Sequence, residues 1–294
     1  MAGRFGSVIT AMVTPFKEDG SLDLDRAQEL VRWLLDHGSD GLVIAGSTGE
    51  AATLSDEEKA SLWRASVEAA AGKGAIIAGS GTYDTRHSVH LTEEAEKAGC
   101  DALLVVSPYY NKPPQSGLYE HFTTVARATS LPMLVYNIPG RTAVRISNDT
   151  VLRLAETENI VGLKDSTADF DGLSHLIAEA PDGFEIYTGD DWAVFGAVCL
   201  GAVGVISVAA HVAGQRMKQM IDLIEGGDVP AARKIHHELL PLYDVLFSTT
   251  NPIPVKAAMG LLGQPAGPPR LPLVPATDDE TTKIRKALED AGIL

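Results

Sequence analysis

A lysine and a tyrosine end two apolar runs, and brought together they could do amine chemistry on a carbonyl. Ile160-Val161-Gly162-Leu163 leads into Lys164, which Asp165 and Ser166 follow. Met133-Leu134-Val135 ends in Tyr136, 28 positions before the lysine. Each run is short and apolar like a buried strand, so each delivers one functional side chain to a strand end. An amine attacks a ketone to form an imine, and a phenol can relay the protons that step requires. A solvated lysine is protonated at neutral pH, whereas burial at a barrel mouth favours the neutral, nucleophilic amine. On its own, a lysine at a strand end is ordinarily a solvated surface residue. Asp165 is expected to face away from Lys164, because adjacent strand residues point to opposite sides.

Other run ends carry reactive or anion-binding types, and this makes the catalytic reading of Lys164 stronger. One run ends in Gly46-Ser47-Thr48-Gly49-Glu50, a small-residue turn whose amides could hold a carboxylate or phosphate. Taken alone it is also a plain strand-to-helix turn. Another ends in Ser107-Pro108-Tyr109-Tyr110-Asn111, where the tyrosines could equally be packing aromatics. Tyr136 is followed by Asn137-Ile138-Pro139-Gly140-Arg141. Arg141 is either a turn residue or, facing the mouth, a two-pronged carboxylate clamp. Two further ends carry Gly189-Asp190-Asp191 and Ile206-Ser207. Asp190 and Asp191 read as helix caps rather than Mg²⁺ ligands. The histidines show no metal-ligand spacing, so no metal and no cofactor are expected.

The elements that must position these residues follow from periodicity. Eight short apolar runs recur at 8–12, 41–45, 75–78, 102–106, 133–136, 160–164, 184–188 and 204–208. Most lack period-two alternation, as strands covered on both faces do. Between them lie amphipathic segments, such as 24–37 with its stripe of Ala27, Leu30, Val31, Leu34 and Leu35. Ser55-Asp56-Glu57-Glu58 is a capping box, and Asn148-Asp149 opens the helix before the sixth run. Eight strand-helix units favour a closed (β/α)8 TIM barrel with its site at the C-terminal strand ends. An open doubly wound sheet is the fallback, weakened because no Gly-x-Gly-x-x-Gly follows the first run. After Glu225-Gly226-Gly227 the strand pattern stops. The expected division is a barrel over 1–227 and a C-terminal helical extension over 228–294, with helices near 229–247, 254–262 and 278–291.

Composition narrows the partners. The chain has 294 residues, 45% hydrophobic and 21% charged, with a net charge of -15 from 39 acidic and 24 basic residues. That balance disfavours nucleic acid and anionic membrane surfaces. No run approaches the length of a membrane span, and residues 1–7 lack a signal-type apolar core, so a cytoplasmic location is expected. Cys100 and Cys199 sit among small and apolar residues and read as two reduced, buried thiols.

Taken in order, these motifs resemble the dihydrodipicolinate synthase / N-acetylneuraminate lyase family of class I, lysine-dependent aldolases. The likeness runs from about Phe5 to the last helix and includes Asn251-Pro252-Ile253-Pro254-Val255-Lys256. It implies that Lys164 forms an imine with pyruvate, that Tyr136 relays protons, and that Ser47 links two tyrosines where most members have threonine. It implies that Tyr110 reaches into a neighbouring subunit's site, in what is commonly a homotetramer built as a dimer of dimers. Thr48 would bind the pyruvate carboxylate, Arg141 would bind the carboxylate of L-aspartate 4-semialdehyde, and Gly189 and Ile206 would line the pocket. The implied reaction condenses pyruvate with that semialdehyde in the diaminopimelate–lysine pathway.

Two departures stand out. Ser47 keeps the threonine hydroxyl but loses the methyl that fixes its rotamer. At the family's lysine-effector pocket the chain carries Ala51, Asp56, Lys59 and Tyr83, and Lys59 would repel a cationic effector, so lysine feedback is expected to be weak or absent. The nearest alternative is a sister aldolase, an N-acetylneuraminate lyase or 2-keto-3-deoxy-sugar-acid aldolase. Arg141 argues against it, since a charged clamp suits a short carboxylate substrate. A catalytically silent ligand-binding barrel is the more distant alternative.

Overall fold

Strands that are apolar on both faces have to be covered on both faces, and closing the sheet on itself achieves this. A computed structural model describes residues 3–294, with Met1 and Ala2 outside the described residues. Eight parallel strands pair in sequence order and close, β1 meeting both β2 and β8. They are β1 Val8–Ala11, β2 Gly41–Ile44, β3 Ala75–Gly79, β4 Ala102–Val106, β5 Met133–Asn137, β6 Ile160–Asp165, β7 Glu185–Thr188 and β8 Gly204–Ser207. The expected (β/α)8 barrel is the fold that forms, and each apolar run supplies one strand.

Side chains divide by facing. Ile9, Val43, Ile77, Leu104, Leu134 and Ile206 point inward and fill the barrel as one cluster. Val8, Leu42, Ile44, Ile76, Leu103 and Leu163 point outward and pack against helices in the other. Backbones approach closely in places: a Cβ on Gly79 would lie 2.3 Å from the Ala45 carbonyl oxygen, so only glycine fits there.

The outer helices are α1 Leu24–Asp36, α2 Asp56–Ala70, α3 Thr85–Lys97, α4 Gln115–Ala126, the short α5 Pro139–Thr142, α6 Asn148–Leu154, α7 Phe170–Glu179, α8 Val194–Leu200 and α9 Ala210–Glu225. In α1 the stripe residues Ala27, Leu30, Val31 and Leu34 are buried and Leu35 is half-buried. In α2 the capping box at Ser55 and Glu58 forms, and Trp63, fully buried, donates to the Ile44 carbonyl. That bond pins the helix to the strand carrying the Ser47 turn. The cap of α6 is Ser147, one residue earlier than the Asn148-Asp149 expectation, because its hydroxyl accepts from the Thr150 amide. After α9 come α10 Val229–Leu246, α11 Ile253–Leu261 and α12 Asp278–Asp290.

One sequence expectation fails. Cys100 is buried and its thiol pushed up to about 12 by desolvation, but Cys199 is exposed. It lies near the end of the short α8, whose neighbouring Leu200 also faces outward. No helix of the described residues is long and apolar enough to cross a membrane.

Candidate active site

The C-terminal strand ends surround a cavity of about 380 Å³. Ala11, Val43, Leu104 and Val106 form its apolar floor, and Lys164, Tyr136, Ser47, Thr48 and Arg141 supply its polar groups. The strand registers explain the meeting of the first two: Tyr136 and Lys164 are direct partners across the β5–β6 ladder. Lys164 Nζ sits 4.3 Å from the centroid of the Tyr136 ring. Each of the two residues is only 5% exposed, so this amine is held in a largely dry pocket under an aromatic face. Asp165 turns away as alternation requires, and its carboxylate accepts from the Thr167 amide and hydroxyl.

The turn after β2 is shaped by two residues with left-handed backbone, Ala45 at φ 56° and Glu50 at φ 55°. The Glu50 and Ala51 amides bond within the turn, to Ser47 and Gly46 carbonyls. Those of Ser47 and Thr48 have no such acceptor, which leaves them for an anion. Ser47 and Tyr136 line the same cavity, but among the described residues no side-chain hydrogen bond joins them, so the expected hydroxyl chain is not linked.

Neither Gly189 nor Ile206 is among the residues lining the cavity. Ile206 is fully buried in the inward cluster beside Tyr136. Gly189 abuts the lysine, and a Cβ there would fall 2.6 Å from Lys164 Cε and 2.0 Å from Ser166 Oγ. Tyr110 is not in the cavity of its own chain. It is 89% exposed and held at φ 69°, a left-handed conformation that a tyrosine adopts at a cost. Its neighbour Tyr109 lines the cavity and stands edge-on to Tyr83.

Several participants escaped the sequence reading. Thr250, Asn251, Pro272 and Leu273 close one side of the cavity from the C-terminal segment. The Asn251 amide donates to Thr48 Oγ1 at 2.8 Å, and its carbonyl accepts from Arg141 Nη2 at 3.2 Å. Asn251 therefore ties the anion turn to the arginine, leaving other guanidinium nitrogens for a carboxylate. Behind the turn, Lys256 Nζ lies 2.7 Å from Glu50 Oε1, a pair almost wholly buried. The motif Asn251 to Lys256 was visible in the sequence, but its partners lie between 110 and about 200 positions away and no local spacing reveals them.

The two aspartates after β7 separate in role. Asp191 is fully buried and accepts from the Ser207 hydroxyl at 2.5 Å and from the Val208 and Ala209 amides. The capping expectation fails: neither aspartate makes a side-chain cap bond to the segment that follows it, and Asp191 instead holds the Val208 and Ala209 amides just ahead of α9. Burial pushes its carboxyl up. Asp190 is pushed up to about 6 by burial, with the Lys164 ammonium working against that rise. Among the described residues no cluster of three His, Cys, Asp or Glu is arranged to hold a metal ion.

Comparison with known proteins agrees with this geometry. The dihydrodipicolinate synthetase family profile matches residues 4–291. The chain is 50% identical over 291 residues to the 4-hydroxy-tetrahydrodipicolinate synthase of Moorella thermoacetica, covering 99% of this chain and 100% of that one. It is 49% identical over 294 residues to that of Desulforudis audaxviator, covering 100% of both. Among solved structures, the dihydrodipicolinate synthase of Cyanidioschyzon merolae with lysine bound gives a TM-score of 0.98 at 41% identity, covering 99% of this chain and 100% of that one. The chloride-inhibited enzyme of Acinetobacter baumannii, complexed with pyruvate, gives 0.96 at 41% identity over 99% and 100%.

Proposed function

The chain belongs to the dihydrodipicolinate synthetase family, and on that premise we propose that it condenses pyruvate with L-aspartate 4-semialdehyde through an imine on Lys164. The product is 4-hydroxy-tetrahydrodipicolinate. The observation that carries the reading is the placement of Lys164 under the Tyr136 ring in a cavity that also holds Arg141.

The chemistry proceeds from these groups. The neutral Lys164 amine adds to the pyruvate ketone, and loss of water gives the iminium. The pyruvate carboxylate lies on the Ser47 and Thr48 amides, where the turn leaves donors free. The iminium acidifies the methyl group, and removal of a proton yields the enamine. That carbon attacks the aldehyde, forming the new carbon–carbon bond, while the semialdehyde's carboxylate is held by Arg141. The substrate amine then displaces Lys164 from the iminium carbon, closing the ring and freeing the enzyme. Tyr136, passing protons by way of Ser47, serves each transfer.

Tyr110 completes that chain in a neighbouring copy, within a homotetramer. Its support is a fully exposed aromatic held in a strained backbone conformation, for which the isolated chain has no use. Residues 1–227 act as the barrel and 228–294 as the helical unit that walls the cavity, and the enzyme works in the cytoplasm. A sister aldolase acting on sugar acids is disfavoured by the charged clamp and by the relatives' activities.

The test is borohydride reduction in the presence of pyruvate, followed by intact mass and peptide mapping. One reduced pyruvate on Lys164 is expected, with faster turnover on the semialdehyde than on any sugar acid. An unmodified Lys164 refutes the mechanism.

A further inference from the structure

An unpartnered hydroxyl and the Lys164 side chain come together beside Gly189. Ser166 Oγ is buried from solvent and has no hydrogen-bond partner. A point 2.0 Å from that oxygen is 2.6 Å from Lys164 Cε, so the two atoms are no farther apart than the sum of those distances, about 4.6 Å. Period-two alternation explains the proximity. Lys164 points inward, Asp165 outward, and Ser166 inward again just past the end of β6. The glycine after β7 leaves the gap that both side chains occupy. Lys164 Nζ, for its part, rests over the Tyr136 ring with no hydrogen bond to it recorded in the structure.

We propose that Ser166 is an imine-binding residue: its hydroxyl accepts the hydrogen bond of the iminium N–H once pyruvate is attached to Lys164. This rests on the function proposed above. The resting amine can lie against an aromatic face, but the iminium is different. Its nitrogen is planar and cationic, carries a single N–H of fixed direction, and belongs to a side chain only 5% exposed. A buried charge of that kind needs an acceptor. The ε-carbon is within reach, and one rotation about the bond before it swings the nitrogen from the ring toward Ser166. The other near groups are less suited. Asp165 is committed to Thr167, and Asp191 to Ser207 and two amides. Asp190, whose carboxyl burial pushes up to about 6, would pair with the cation and neutralise it. A neutral hydroxyl also stabilises the cation without neutralising it, which preserves the electron sink that acidifies the methyl group.

The experiment compares wild type with Ser166→Ala in borohydride trapping of pyruvate, titrating pyruvate across pH, with thermal unfolding as the control for packing. A hydrogen bond to a charged group corresponds to about tenfold or more in an equilibrium. Ser166→Ala should therefore need about ten times more pyruvate for half-maximal trapping. The pH above which trapping declines should also move down by about one unit. Unchanged half-saturation and an unchanged pH limb in a variant that still traps overturn the proposal while leaving the function intact. A loss of trapping matched by a fall in unfolding temperature, with the pH limb unmoved, also overturns it, since that is packing alone. Absence of any adduct in the wild type refutes the proposed function itself and this inference with it.

Discussion

Replacing Lys256 with methionine removes one charge from the back of the active site and leaves the other stranded. Lys256 and Glu50 side chains are 4% and 1% exposed, and their charged atoms stand 2.7 Å apart. The ammonium also donates to the Pro268 carbonyl at 3.3 Å and lies over the Phe16 ring. Burial lowers the proton affinity of Lys256 and the Glu50 carboxylate opposes that effect. In Lys256→Met the carboxylate keeps one recorded donor, the Arg270 amide at 2.8 Å. Breaking a buried pair by removing one partner costs about 3–5 kcal/mol, whereas removing both charges together is far milder. For a chain of this size that is a fall in Tm on the order of ten degrees. The double variant Lys256→Met, Glu50→Gln should recover at least half of it. Because Glu50 ends the turn carrying Ser47 and Thr48, the single variant should also raise the KM for pyruvate. Unfolding is followed by circular dichroism at fixed protein concentration, since association also shifts Tm. If the single variant unfolds within about one degree of wild type, or if the two changes simply add, the pair does not hold the turn as argued.

Tyr136→Phe keeps the ring over Lys164 and removes only the hydroxyl; kcat should fall by about 10²–10⁴ with pyruvate trapping on Lys164 retained. Ser47→Thr should raise kcat/KM by roughly two- to fivefold by fixing one rotor, and unchanged kinetics would show the methyl to be irrelevant. His211 is fully buried: the Val13 amide donates to Nε2, so Nδ1 carries the proton and donates to the Val208 carbonyl. Burial lowers it to about 4, so between about 6.5 and 4 the unfolded chain binds more protons. Stability is therefore whole above pH about 6.5 and falls by up to about 3 kcal/mol as pH drops to 4; a pH-stability curve unchanged in His211→Gln would contradict this. Free lysine should inhibit weakly or not at all below the millimolar range. Lys59 is only 6% exposed and lines the cavity, and an inhibition assay with lysine checks it.

The barrel was legible because each strand is a run buried on both faces, and such runs announce themselves without alternation. Lys164, Tyr136 and the Ser47 turn were legible because barrel sites collect at strand ends. Arg141 came from its position after a strand, and the structure adds what holds it, the Asn251 carbonyl. That contact was not readable, since it joins α5 to a segment 110 residues away and depends on tertiary packing alone. Ser166 was readable in principle. It follows Lys164 by two positions, and alternation alone places it on the lysine's face. Asp191 looked like a local cap and is not one, because its acceptors are taken by the Ser207 hydroxyl and the amides between β8 and α9. Cys199 misled because apolar neighbours in sequence become the outer face of a short helix.

The wall supplied by Thr250, Asn251, Pro272 and Leu273 has a meaning for synthesis as well as for catalysis. The reactive lysine is synthesised before β8 and before residues 250–273, so its pocket is unfinished at that point. β8 has still to close the sheet, and the segment that steadies the anion turn and the arginine follows later still. A growing chain thus carries its nucleophile without a place to use it until residues 250–273 have been added. Truncations from the C-terminus should abolish the pocket long before they remove any residue that touches substrate.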